Sequence, residues 1–391
     1  MKRSVLNEDM TEFINRLESE ISVAEISGTD TDKLAGFTKE LYSGEFNAAH
    51  YSDINRIKEV WEWKYGANPA SQGINNFGWM ALHRGIPVGQ FRIIPTAIKI
   101  GKKYIPGTCG TDLAVLKKYR NIGISNFLVK KVKEKIREKF GLHLICGMNP
   151  SSYIILKESG FTDMGIIPRL VRILDLRAIL ICYGIPGFLS SFAQGILDLF
   201  RKIASFGSKA GKDGINVEEV EGFDEDFQKF WDSVSEYYGC IAKRDVNTLT
   251  WRYKNQPLWP YTVLRVRKNG EMRGFTVLRE GRIKDGRLKN RPMGIISDIL
   301  VYPKDGKSAR ALLNETIKFF SDPHKNMLLI KCDILNKRVE DLLRKSGFIR
   351  IKSPNGFVLD TGKLLSDEDK RLAAARDAWL ITSGDSDLDF Y

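Results

Sequence analysis

The residues between 112 and 161 are of types, and at spacings, that could hold a phosphate-bearing ligand. Asp112-Leu-Ala-Val115 reads as a strand, and Leu116-Lys-Lys-Tyr-Arg120-Asn121-Ile122-Gly123-Ile124-Ser125 leads from it into an apolar-periodic run. A helix starting there carries unpaired N–H groups and the positive end of its dipole, an arrangement that binds phosphate or pyrophosphate. Gly123 lets the backbone approach such a group with no Cβ in the way. Lys117, Lys118 and Arg120 surround the turn, and Lys130, Lys131 and Lys133 follow within two helical turns. The hexapeptide alone is equally a strand-to-helix connection with a capping glycine. What strengthens it is downstream: Asn149 precedes a second helical run, and Gly160-Phe161 closes it with the left-handed geometry a helix C-terminus favours.

The elements that would position these residues are legible. Trp79–Arg84 and Val88–Ile94 flank Arg84-Gly85 as a hairpin, and a second turn falls at Gly101-Lys102. Gly110–Leu116 reads as a strand. Ile124, Phe127, Leu128, Val132 and Ile136 mark an amphipathic helix over about 122–139. Leu142–Met148 is a strand and Ser151–Ser159 a helix. The same order returns later: a hairpin around Asn269-Gly270, a strand at Gly294–Tyr302, a helix at Ser308–Phe320, a strand at Met327–Asp333 and a helix at Lys337–Ser346.

That return is an internal duplication. Trp63-Lys-Tyr65 recurs as Trp251-Arg-Tyr253, Asp112-Leu-Ala-Val115 as Asp298-Ile-Leu-Val301, Cys146 as Cys332, and Asn149 with Gly160-Phe161 as Asn336 with Gly347-Phe348, all at offsets between 185 and 188. The fold class expected is α/β (α+β), two tandem domains, each a central mixed sheet flanked by helices. The boundaries expected are 1–175, an apolar connector and flexible linker at 176–214, a second domain at 215–365 and an acidic tail at 366–391.

The motif order of the first copy resembles the GNAT acyltransferase superfamily, whose acyl-CoA loop runs Arg or Gln, two residues, Gly, one residue, Gly or Ala. Arg120 and Gly123 match, with Ser125 at the last position. The resemblance implies acetyl-CoA as co-substrate, its thioester along Leu113, Ala114 and Val115, its pyrophosphate on Arg120, Asn121, Ile122, Gly123, Ile124 and Ser125, with Asn149 beyond. Many members carry a tyrosine general acid where this chain has Leu156, so Tyr153 and Asp112 are the catalytic candidates. Lys-Asp-Gly306-Lys-Ser-Ala-Arg310 in the second copy lacks the loop pattern, so that copy is expected to wall the acceptor cleft. A first half ending near Gly214 is expected to keep residual CoA binding. A narrower resemblance, carried by Trp61-Glu-Trp63-Lys-Tyr65 with Asn68-Pro69, by Trp251-Arg-Tyr253 with Pro257, and by the C-terminal Trp379–Asp389, is to tandem members associated with bacterial surface-polysaccharide synthesis. It implies an amine acceptor, such as an amino sugar on a nucleotide or lipid diphosphate. A Fem-type aminoacyl transferase using charged tRNA and a non-catalytic CoA-binding subunit are the alternatives.

Composition bounds the rest. The 391 residues are 43% hydrophobic and 28% charged, which excludes a disordered chain. Net charge is +13, concentrated at 101–150 (11 basic, 3 acidic) and 251–350 (23 basic, 10 acidic). No aromatic-interleaved basic run accompanies it, so nucleic acid is not expected. Five cysteines without a C-x-x-C pair suggest neither disulfides nor a zinc site, and His50, His83, His143 and His324 form no spaced set, so no metal is expected. The N-terminus has no apolar signal core, so a reducing cytoplasm is expected. Ala178–Leu197 is uncharged but broken by Pro186-Gly187. It reads as two short helices that pack between domains or the protomers of a homodimer, or make a peripheral membrane contact at the inner face.

Overall fold

The computed structural model describes residues 19–27, 31–42, 53–205, 214–386 and 389. The linker expected at Gly207–Gly214 lies outside them up to 213, as do His50 and Asp387. In chain order the elements are β1 (Ile21–Glu25), α1 (Thr31–Leu41), α2 (Ile54–Trp61), β2 (Gly78–His83), β3 (Ile86–Ile100), β4 (Lys103–Val115), α3 (Ile124–Lys139), β5 (Leu142–Met148), α4 (Pro150–Glu158), β6 (Thr162–Ile166) and β7 (Arg169–Ile173). A helical pair, α5 (Leu176–Cys182) and α6 (Gly187–Ser205), follows. Then come β8 (Ile215–Val220), α7 (Glu225–Val234), β9 (Cys240–Ala242), α8 (Val246–Leu249), β10 (Thr262–Lys268), β11 (Glu271–Arg282), β12 (Pro292–Val301), α9 (Gly306–Phe320), β13 (Leu329–Leu335), α10 (Lys337–Lys345), β14 (Ile349–Ile351), β15 (Gly356–Thr361), α11 (Asp367–Ala374) and β16 (Trp379–Thr382).

This is the expected α/β class, a mixed sheet flanked by helices. Hydrogen-bonded strands run without interruption in the order β6-β15-β5-β4-β3-β9-β16-β13-β12-β11-β10-β8. The α3 helix lies on the first part of this sheet because Leu128, Val129, Val132 and Ile136 fall on one face and are fully buried.

Two segments that the sequence pairs, around Trp63 and Trp251, take the same local form. Glu62–Gly66 and Thr250–Lys254 are both π-helical turns. Within them, the indole N–H of Trp63 donates to the carbonyl of Trp251, and that of Trp251 to the carbonyl of Trp63, each at 2.7 Å. The two rings stack at 5.5 Å. Such a reciprocal pair is what a local two-fold axis produces.

The sheet also crosses the boundary that the repeat implies. β15, from the second half, lies between β5 and β6, with Val358 opposite both Ile145 and Asp163. β7, from the first half, lies between β13 and β14, with Val171 opposite both Lys331 and Ile349. The halves have exchanged their last strands.

Residues 379–386 and Asp389 differ from the solvated acidic tail expected. Trp379, Leu380 and Ile381 are fully buried, and Asp389 is 1% exposed. Arg244 holds Asp385 (2.7 Å) and Arg279 holds Asp389 (2.8 Å), so these two carboxylates are structural ion-pair partners.

Candidate functional site

The parallel strands β4 and β5 are bonded only from Gly107, opposite Leu142, to Cys109, opposite Leu144. Beyond that point they diverge. A bulge at Asp112–Leu113, opposite Phe91, bends β4 further, and Asp112 takes a left-handed φ of 52°. The gap opens into a cleft of about 1270 Å³ lined by Gly110–Val115 on one side and Ile145–Ser152 on the other.

At one end of this cleft stands the N-terminus of α3. Gly123, at φ 86°, is its N-cap and supplies no side-chain cap. Asn121 is left-handed too, at φ 63°. The first-turn amides therefore keep their donors, and Gly123, Ile124, Ser125 and Asn126 all line the cleft. Arg120 and Asn121 line it as well, although Arg120 uses its Nε on the carbonyl of Val115 (2.9 Å), which ties the loop to the strand. Ile122 does not line the cleft; it packs on the apolar core under α3. Asn149 lines the cleft and caps α4 by accepting from the Ser152 N–H (2.9 Å). A phosphate-bearing ligand thus meets an open helix end with no Cβ or carboxylate in front of it.

The two catalytic candidates part company. Asp112 lines the cleft, but its Oδ2 is 3.0 Å from Lys64 Nζ, both side chains being 2% exposed. Its Oδ1 accepts from the Tyr42 hydroxyl at 3.2 Å. Tyr153 is turned away. Its ring lies against Gly356, and its hydroxyl donates to Asp163. Burial and the Asp163 carboxylate push its phenol up to about 12. Leu156 is buried on the same helix. Tyr42, which lines the cleft, and Lys64 had no signal in the sequence, because they reach Asp112 from 70 and 48 residues upstream.

The exchanged strand and the second half also wall the cleft, and that wall is cationic. Arg169 on β7, Lys331 on β13 and Lys284 in the β11–β12 loop line it. Asp333 neutralises part of this charge: Arg169 reaches it at 2.7 Å and Lys331 at 3.5 Å. Burial lowers Lys284 to about 8, helped by the neighbouring Lys331, Arg279 and Arg169. Burial lowers Lys331 as well, against the pull of Asp333.

The matching place in the second half is closed twice over. β12 and β13 also part after three residue pairs, but β16 bonds to β13 there, at Ile334–Thr382 and Leu335–Ile381. Thr382 donates to Asp298, the counterpart of Asp112, and a Cβ on Gly384 would meet the Tyr253 hydroxyl at 1.9 Å. The cavity beside Asp298 has about 40 Å³. The N-terminus of α9, unlike that of α3, is capped by a carboxylate: Asp305 accepts from the Ser308 N–H at 3.1 Å. An anion there would meet a negative charge instead of open amides.

His143 is core. It is 2% exposed, bonded to Thr108 at 2.6 Å, and lowered by burial to about 3. Among the described residues no three His, Cys, Asp or Glu side chains gather as a metal ion would require.

The sequence matches no family profile and no curated protein sequence. Solved structures do share its fold. A GCN5-related N-acetyltransferase from Anabaena variabilis is 11% identical, aligns over 87% of this chain and 72% of its own, and has a TM-score of 0.55. A probable N-acyltransferase from Enterococcus faecalis is 11% identical over 88% and 73%, at 0.56. N-myristoyltransferase from Saccharomyces cerevisiae, solved with myristoyl-CoA, is 13% identical over 89% and 86%, at 0.52. At these identities the likeness is one of fold: the chain has the fold of the GCN5-related N-acetyltransferases.

Proposed function

We propose that the chain is an acyl-CoA-dependent N-acyltransferase, built from two tandem domains and active in its first half, whose acceptor is an amine carried on an anionic molecule such as a phosphorylated amino sugar. The observation that carries this reading is the uncapped, glycine-led start of α3 at the end of the β4–β5 gap. The amides of Ile124, Ser125 and Asn126 would take the pyrophosphate. The cleft-facing edge of β4 at Leu113 and Ala114 would bond the amide groups of the pantetheine arm and, near the bulge, polarise the thioester carbonyl. The thioester supplies an activated acyl group, and the chain's work is to orient an amine against it.

The acceptor would enter along the cationic wall, where Arg169, Lys284 and Lys331 suit phosphate. Its neutral amine attacks the carbonyl carbon, the C–S bond breaks, the leaving thiolate takes a proton, and the proton that the new amide nitrogen sheds restores the group that gave it. Tyr42 is our candidate donor, since its hydroxyl lies in the cleft on Asp112. Asp112, paired with Lys64, would hold that hydroxyl in place. A non-catalytic CoA-binding subunit is the rival reading, favoured by Leu156 standing where a tyrosine would serve.

Titration calorimetry with acetyl-CoA and longer acyl-CoAs tests the donor site. Binding is expected, at one per chain. Gly123→Glu should abolish it, by placing a carboxylate before the amides, while Gly306→Glu at the start of α9 leaves it unchanged. Unchanged affinity in a folded Gly123→Glu protein would overturn the assignment. Tight binding without transfer to any amino-sugar phosphate would favour the rival reading.

A further inference from the structure

The α5–α6 hairpin has its polarity inverted. Polar side chains of α6 are spent inside the pair. Gln194 accepts from the Leu176 N–H at 2.7 Å and donates to Asp198 at 3.0 Å, and Ser190, fully buried, bonds the Pro186 carbonyl. Its large apolar side chains face outward. Phe188 is 74% exposed, Phe192 69% and Leu199 58%, and with Ile196 they fall at i, i+4, i+8 and i+11, one stripe along the helix. Ile181, Tyr183 and Ile185 extend the exposed surface round the hairpin's tip. Patches of this kind on a folded surface mark a partner or a membrane.

The charge next to the stripe says which. The β11–β12 loop packs against α5 through Gly286–Leu288. It carries Arg282, Arg287, Lys289 and Arg291, all exposed, with Asp285 as its one acid. The Arg287 guanidinium lies 5.3 Å from the Tyr183 ring. An apolar stripe bordered by cations complements the headgroups and upper acyl region of a bilayer with anionic lipid. Among the described residues no helix is long and apolar enough to cross a membrane, so the contact is in the plane of the interface.

The same loop belongs to the cleft. Lys284, Asp285 and Leu288 line its cationic wall, and β7, carrying Arg169 and Val171 into it, runs directly into α5. We propose that the α5–α6 hairpin and the 282–291 loop form one docking face for an anionic bilayer surface, which holds the cationic wall of the cleft at the lipid. Given the acyltransfer reading, on which this last step rests, the anionic acceptor is a lipid-linked phosphate.

Flotation of the purified full chain with vesicles tests the docking face. The chain should float with phosphatidylcholine–phosphatidylglycerol vesicles, more weakly with phosphatidylcholine alone, and less as salt is raised. A carbonate wash should strip it. Phe188→Asp with Phe192→Asp should weaken vesicle binding at least tenfold, and Arg287→Glu with Lys289→Glu should weaken it too. Calorimetric acyl-CoA affinity should stay unchanged in both, since neither pair lines the cleft. Failure of the wild-type chain to bind these vesicles, or binding unaffected by the aromatic pair, overturns the proposal. So does light scattering that shows a dimer dissociated by the same pair, which would give the face to a second copy. Vesicle binding without any acyl-CoA binding would leave docking standing and remove the acyltransfer reading instead.

Discussion

Asp112 shows how one side chain couples backbone strain, charge and the cleft. It holds a left-handed bulge, and it is buried against a buried lysine. Removing Lys64 would leave an uncompensated carboxylate, so Lys64→Met should cost about 3 kcal/mol in denaturant unfolding. Tyr42→Phe removes only a hydroxyl; kcat for transfer should fall by about a hundredfold with acyl-CoA affinity unchanged. Lys284 gives the site a pH dependence. Its ammonium, lowered to about 8, is charged below that pH, so affinity for an anionic acceptor should fall between pH 7 and 9. Acceptor binding near pH 8 should take up protons, detectable by calorimetry in buffers of different ionisation enthalpy. For stability the sign is opposite. The unfolded chain holds this proton more tightly than the folded one, so the contribution of Lys284 rises with pH from about 8 toward the ordinary lysine range. The place of Gly123 at the start of a helix could be read from sequence because it is local, set by its own φ and the helix it starts. Tyr42 and Lys64 could not, because their meaning depends on which strand they meet.

The element that fills the gap between β12 and β13 is the C-terminal segment. Arg244 is buried between Asp298 (3.0 Å) and Asp385 (2.7 Å), and burial with the neighbouring Asp298 raises the Asp385 carboxyl. Arg244→Met would confine two carboxylates without a cation, at about 3–5 kcal/mol. That loss should be smaller at pH 5 than at pH 8, because protonation removes the repulsion; thermal unfolding at the two pH values measures it. Within each half, periodicity and turn chemistry found the elements. The helix expected at 122–139 runs Ile124–Lys139, and the uncharged connector is two helices round Gly-Ile-Pro-Gly. The tail was misread for a physical reason. Alternating aspartates look solvated until their partners are known, and Arg279 lies 110 residues before Asp389.

For the molecule as a whole, the exchange of β7 and β15 governs what can be cut. A fragment of residues 1–214 lacks β15, whose Phe357, Val358 and Leu359 are fully buried between β5 and β6. It should therefore fail to fold and bind no acyl-CoA, against the residual binding that the repeat alone suggested. Co-expression with 215–391 should restore both, as read by circular dichroism and calorimetry. Repeat offsets suggested two like halves, but could not suggest that strands cross between them, since β7 and β15 read alike wherever they pair. The exchange also sets a schedule for synthesis. β5 ends at Met148, and its neighbour β15 ends at Thr361. At roughly 5–20 residues per second, the ribosome leaves that sheet edge open for on the order of ten to forty seconds. During that wait an unpaired, apolar strand is a template for any other extended chain. Yield on overproduction should therefore depend on translation speed and chaperone supply, even where the finished molecule is stable.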